Sequence, residues 1–213
     1  LNGPIRRFQM AVINSIDQLR AIIGEEIPGI RDKNIGYLDN FAVAFIAESP
    51  FLIMSTADEN GRCDGSPKGD EPGFVHVVDS RTLLVPDRPG NKLVYGHQNI
   101  LANPQVSLLF CIPGTSETLR VNGTAELNSN SEDLEKFAAR GKAAVLILKV
   151  TVEECFFHCG KAFIRSGLWK SSSWMKNPHK VSFGKIYQQL SDAPDEVVRV
   201  IDESIESDYK NNL

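Results

Sequence analysis

The chain has 213 residues, 42% of them hydrophobic and 23% charged, with a formal net charge of -4. That length can bury a full core, and the acidic balance excludes a nucleic-acid binder, which needs a cationic excess against phosphate. No apolar run is long enough to cross a bilayer, and the first residues lack the basic, apolar and small-residue order of a signal peptide, so a cytoplasmic protein with no membrane partner is expected.

In chain order, Leu1 to Met10 reads as a peripheral arm, basic at Arg6 and Arg7. Ser15 is placed to N-cap a helix with Gln18 reaching back; Ile16, Leu19, Ile22 and Ile23 form its apolar stripe and Gly24 stops it. A second helix is expected from Tyr37 to Glu48, with Leu38, Phe41, Ala42, Phe45 and Ile46 on one face and Pro50 at its end. Phe51 to Thr56 reads as a strand. Asp58 to Gly61 is a hairpin turn whose Asn-Gly pair supplies positive φ, and Arg62 to Pro67 returns. Phe74 to Val78 and Thr82 to Val85 make another hairpin around Asp79 and Ser80.

Pro86 to Lys92 (Pro-Asp-Arg-Pro-Gly-Asn-Lys) then leaves a strand pattern and enters a helix pattern marked by Leu93, Val94, Ile100 and Leu101. Gly90 permits a close backbone approach, Asn91 is a good N-cap, and Arg88 and Lys92 bring cations to a helix start whose free N–H groups favour anions. Taken alone, this corner reads either as a phosphate cradle or as a turn between two solvated cations. After Asn103-Pro104 come strands at Val106 to Ile112 and Leu119 to Leu127, the latter with a bulge or close approach at Gly123. The pair Ser129 and Glu132 resembles a capping box opening a helix to Arg140. Strands follow at Val145 to Val152 and Cys155 to Phe157, and Asp195 to Tyr209 has the spacing of an amphipathic helix. Strands come in hairpins and runs rather than in strand-helix alternation, so the expected fold is mainly β (α+β): an antiparallel barrel with peripheral helices.

Several chemistries lack their motifs. There is no Gly-x-Gly-x-x-Gly after a strand, no phosphate loop of the nucleoside-triphosphatase kind and no Gly-x-Ser-x-Gly elbow. Cys155, His158 and Cys159 do not have zinc-ligand spacing, and the four cysteines are expected to be reduced.

Together, Ser49-Pro50-Phe51, Ser66-Pro67-Lys68-Gly69-Asp70 with Pro72-Gly73-Phe74-Val75, Pro86 to Lys92, Asn99 to Pro104, Glu117 to Ala125, and His158 to Ala162 through Arg165-Ser166-Gly167-Leu168-Trp169 resemble the pyridoxamine 5′-phosphate oxidase-related, FMN-binding split-barrel family, and within it a bacterial branch of unassigned substrate. The resemblance covers about residues 37–170. It divides the chain into 1–36, an N-terminal arm and helix; 37–170, an FMN-binding split β-barrel; and 171–213, a loop and amphipathic helix packed on the barrel. It implies that the 86–92 corner holds the phosphate of FMN, through Pro86, Asp87, Arg88, Asn91 and Lys92, and that Ser66, Pro67 and Lys68 offer backbone and a basic side chain to the flavin. Lys68 stands where relatives usually carry arginine; it keeps the charge and loses the planar two-donor fork. Thr118 and Arg120 match a strand that runs near the flavin at a dimer interface. Arg165, Ser166 and Trp169 match a late motif that completes the site from either subunit; read alone, they are a surface cation, a turn serine and a core indole.

The resemblance further implies a homodimer with FMN between subunits, acting as an oxidoreductase on a small-molecule substrate. Pyridoxamine phosphate is not the expected substrate, because residues 128–144 contain neither the Tyr-x-x-x-Arg-Pro nor the following serine of that oxidase. The alternatives are a non-catalytic flavin carrier or sensor, and a split barrel that takes a deazaflavin or a haem, for which His76 or His158 would have to serve as ligand.

Overall fold

The computed structural model describes residues 11–213, so the arm expected at Leu1 to Met10 lies outside the described residues. The chain divides into two compact units, 1–33 and 34–213. The first contains α1 (Ile16–Ile23), begun by the Ser15 side chain accepting from the Gln18 N–H and ended at Gly24, where φ is 89°. The Gln18 side chain reaches back one residue further than expected, accepting from the Asn14 N–H. Beyond it, Arg20 and Arg31 close on Glu26 at 2.7 and 2.5 Å.

The second unit is built on one seven-stranded antiparallel sheet. Its strands are β1 (Phe51–Ala57), β2 (Cys63–Gly69), β3 (His76–Asp79), β4 (Thr82–Asp87), β5 (Gln105–Cys111), β6 (Thr118–Asn128) and β7 (Leu146–His158), in the order β2-β1-β5-β6-β7-β4-β3. Period-two alternation turns Leu52, Met54, Leu108, Phe110, Leu119, Val121, Leu83 and Val85 inward, and all are buried. α2 (Asn40–Glu48), N-capped by Asp39, adds Ala42 and Ile46 to that core, and Leu38 joins it from just before the cap. Phe41, expected on the same face, is 76% exposed.

Two strands anticipated at 145–152 and 155–157 are one. β7 carries an extra residue at Glu153 opposite the Asn122/Gly123 step of β6. The bulge shifts the inward parity from Leu148, Val150 and Val152 to Cys155, so the alternation looks broken in the sequence while the strand runs on. Gly123 lies where the chains come closest: a Cβ there would fall 1.9 Å from the Thr151 carbonyl oxygen.

β2 and β4 lie five places apart in the sheet order, yet the Lys68 ammonium of β2 meets the Asp87 carboxylate of β4. Just beyond the strand ends, Arg88 Nε donates to Asp70 at 2.7 Å. The sheet is therefore rolled on itself, and along this seam side-chain ion pairs stand where a barrel would have ladder hydrogen bonds. The smaller elements are α3 (Tyr95–Ala102), α4 (Ser131–Lys136), α5 (Lys161–Ser166), α6 (Phe183–Ser191) and α7 (Asp195–Asn211). α4 is capped by Asn130 rather than Ser129. It stops short of Arg140 because 139–142 form a tight turn with Arg140 and Gly141 at φ 50° and 77°. α6 was not anticipated; it packs against α7 as a helical hairpin.

Candidate functional site

The seam opens into a cleft of about 620 Å³. β2 lines one side with Ser66, Pro67 and Lys68. The end of β4 and the following loop line the other with Pro86, Asp87, Arg88, Asn91 and Lys92. These eight expected contacts are thus brought together.

The local backbone explains how. Asn91 does not N-cap the helix; its Oδ1 accepts from the Leu93 N–H at 3.0 Å. Lys92 and Val94 then adopt left-handed φ of 62° and 51°, which breaks the helical path, and α3 starts only at Tyr95. No side chain caps that start. The first intrahelical bond is from Gln98 N–H to Val94 carbonyl, so the N–H groups of Tyr95, Gly96 and His97 lack helical acceptors and favour an anion.

The cations of the cleft are not equivalent. Arg88 holds the seam: beside its bond to Asp70, whose side chain is 3% exposed, its Nη1 donates to the Phe137 carbonyl at 2.6 Å. Lys68 is engaged by Asp87. Lys92 makes no ion pair with any described residue and is the cation free to meet a guest. At the mouth, Leu93, Val94, Tyr95 and Val145 are between 46% and 57% exposed, an apolar rim suited to a flat ring.

Sequence reasoning missed His97. Its side chain is 13% exposed, and neither ring nitrogen has a hydrogen-bond partner among the described residues; Nε2 lies 3.4 Å from Asp87 Oδ2, outside good hydrogen-bond geometry. Burial pushes the imidazole below its ordinary pKa, Asp87 acting upward and Lys68 downward, so the ring is neutral near pH 7. The signal was its place one residue after the buried Gly96 and three before the buried Ile100, on the inward side of α3.

The other expected contacts lie elsewhere in the chain. Thr118 is buried on β6, opposite His158. Arg120 lies on the outer sheet face with its guanidinium 5.5 Å from the Phe156 ring. Ser166 Oγ donates to the Phe163 carbonyl and accepts from the Leu168 N–H, closing α5. Trp169 stacks on Phe163 and donates from Nε1 to the Thr115 carbonyl at 2.8 Å. Arg165, in the last turn of α5, does not line the cleft, nor do His76 and His158.

A rolled antiparallel sheet with a cleft in its seam defines a mainly β protein of the split-barrel class. The chain belongs to the pyridoxamine 5′-phosphate oxidase family, whose model matches residues 38–159, more than half of its length. No curated protein matches it. Among solved structures, HupZ from Group A Streptococcus is 20% identical over 54% of this chain and 88% of its own, with a TM-score of 0.44. A pyridoxamine 5′-phosphate oxidase-like protein from Lactobacillus delbrueckii is 22% identical over 57% and 95%, TM-score 0.44. An FMN-binding protein from Syntrophomonas wolfei is 10% identical over 54% and 81%, TM-score 0.44.

Proposed function

We propose that the chain binds FMN in the seam cleft and acts as an FMN-dependent oxidoreductase on a small molecule other than pyridoxamine phosphate. The observation that carries this is the convergence, in one cleft, of Lys92, the uncapped N–H groups of α3 and the unpartnered ring nitrogens of His97 beside an apolar rim. That donor set fits a phosphate monoester joined to a flat ring. Lys92 and the helix start take the phosphate, in charge-assisted contacts. Ser66, Pro67 and Lys68 form the wall along which the ring lies, with Asp87 fixing the Lys68 side chain. FMN, when bound, supplies hydride or electron transfer, so the residues of the chain need only bind, orient and exclude water. This accords with the lack of a nucleophile or general-base motif.

In the same proposal the protein is a homodimer. Support comes from the outer sheet face, where the register aligns Pro67, Ile53, Leu109, Arg120 and Phe156 in one row across five strands. Ile53 and the nearby Phe51 are each 37% exposed. A second copy packed there would cover this row and bring its own Arg165, Ser166 and Trp169 to the cleft.

The test is the absorbance spectrum of the purified protein, with mass spectrometry of what is released on denaturation, followed by NADH or NADPH oxidation by the loaded protein. Flavin bands and released FMN, with turnover, are expected. Bound FMN without turnover would leave a carrier, and a haem Soret band or no binding would overturn the proposal.

A further inference from the structure

Among the cleft residues, His97 alone is a buried titratable group with no partner for either ring nitrogen. Leaving two such atoms unpaired is costly, and a guest in the cleft that hydrogen-bonds the ring relieves that cost. Asp87 lies on one side of the ring, and the ligand corner formed by Lys92 and the start of α3 shares the cleft with it.

A neutral imidazole has one N–H, so between a carboxylate and a second anion it donates to one and turns a lone pair on the other. Only the imidazolium donates to both. We infer that His97 is a protonation-coupled phosphate ligand: when a phosphate monoester enters the cleft, the ring takes one proton from solvent and donates an N–H to the phosphate while Asp87 holds the other. The inference rests on the proposed FMN site. The titratable groups sharing that cleft are Asp87 from β4, Asp64 and Lys68 from β2, Arg88 and Lys92 from the connecting loop, and Tyr95 on the helix itself. Lys68 opposes charging of the ring and Asp87 favours it, and these two already face each other, so the incoming anion decides the balance.

The sign follows. Without ligand the ring titrates below its ordinary value and is neutral at pH 7. With a phosphate beside it the pKa rises. Between these two values binding takes up a proton, and affinity grows as pH falls, levelling off below the lower one. The phosphate's own second ionisation, near pH ~6, works in the opposite direction and is cancelled by comparison with a variant lacking the imidazole.

The experiment is calorimetric titration of FMN into the stripped full-length chain, in buffers of differing ionisation enthalpy, for wild type and His97→Gln. Wild type is expected to take up a proton near pH 7 and the variant not to. The variant's affinity deficit should be about tenfold or more at pH 6.5 and shrink towards none at pH 9. Riboflavin, which has no phosphate, should bind the two proteins alike without uptake. Imidazole NMR of the wild type needs no folded variant: of the four histidines, one should titrate at higher pH once FMN is added. FMN binding with equal uptake in both proteins, or with no histidine shifted, overturns this inference alone. Failure of the wild type to bind FMN overturns it together with the proposed function.

Discussion

Lys92 and Arg88 carry the same charge in the same loop, and their environments separate their roles. Arg88 is spent on Asp70 and the Phe137 carbonyl, so its loss should loosen the seam; Lys92 has no described ion-pair partner, so its loss should be felt by the ligand. Lys92→Ala is therefore expected to weaken FMN binding about tenfold or more while leaving the melting temperature of the stripped protein almost unchanged; equal affinity in a fluorescence titration would remove Lys92 from the site. The thiols divide in a similar way. Cys63 and Cys159 are exposed, whereas burial, with Asp39 as a lesser cause, pushes Cys155 up to about 12, and burial also raises Cys111. A disulfide reagent at pH 8 should label two thiols quickly and the other two only on unfolding. At this scale the sequence showed residue types and not their commitments. Nothing local to Arg88 reveals that Asp70, 18 residues earlier, will claim its guanidinium. His97 went unread because one histidine in a helix of mean polarity carries no motif.

Elements were legible where a pattern is local and obscured where tertiary contacts overrode it. The 58–61 turn, the Ser15 and Gly24 ends of α1 and the tight spot at Gly123 all follow from short-range chemistry, and each is found, although in the turn Gly61 alone, at φ 77°, and not Asn60, takes the positive φ expected of the pair. α6 was hidden by Gly184, a residue that ordinarily argues against a helix interior. The glycine is there for packing: a Cβ would lie 2.3 Å from the Val198 carbonyl oxygen of α7. Asp202 of α7 completes the joint, accepting from the Ser182 hydroxyl and the Gly184 N–H, and the hydroxyl bond is the main reason its carboxyl is held below the usual range. Gly184→Ala should therefore separate the two helices, costing about 1–3 kcal/mol, and hydrogen exchange should show faster amides in both helices with the sheet unaffected. Unchanged exchange in α7 would mean that the hairpin tolerates the methyl. Because a depressed carboxylate stabilises above its unfolded value, the Asp202 contribution should be full above the ordinary aspartate range and be lost as pH falls below that range through the depressed folded value.

For the whole molecule, the rolling of the sheet was foreseen as a barrel, while the seam was not, since it depends on residues distant in sequence meeting across a gap: Lys68 with Asp87, and Asp70 with both Arg88 and Arg140. That gap creates the cleft. Arg165, Ser166 and Trp169 do not line it; they are held near the 115 turn and α5 of the same chain. If a second copy supplies them, assembly and cofactor binding must be coupled, and the outer sheet row is where to break that coupling. Ile53 projects from this face, opposite the buried Leu52 and Met54, so an aspartate there faces solvent in the single chain and disturbs no core contact. In a dimer packed on this face the same aspartate is buried without a partner, a penalty of several kcal/mol counted twice by symmetry. Ile53→Asp is expected to elute as a folded monomer in light-scattering chromatography and to lose most FMN affinity, although every residue of the cleft in its own chain is intact. A monomeric variant with full affinity would show that one chain suffices to bind the flavin. A variant that stays dimeric would place the interface on another face.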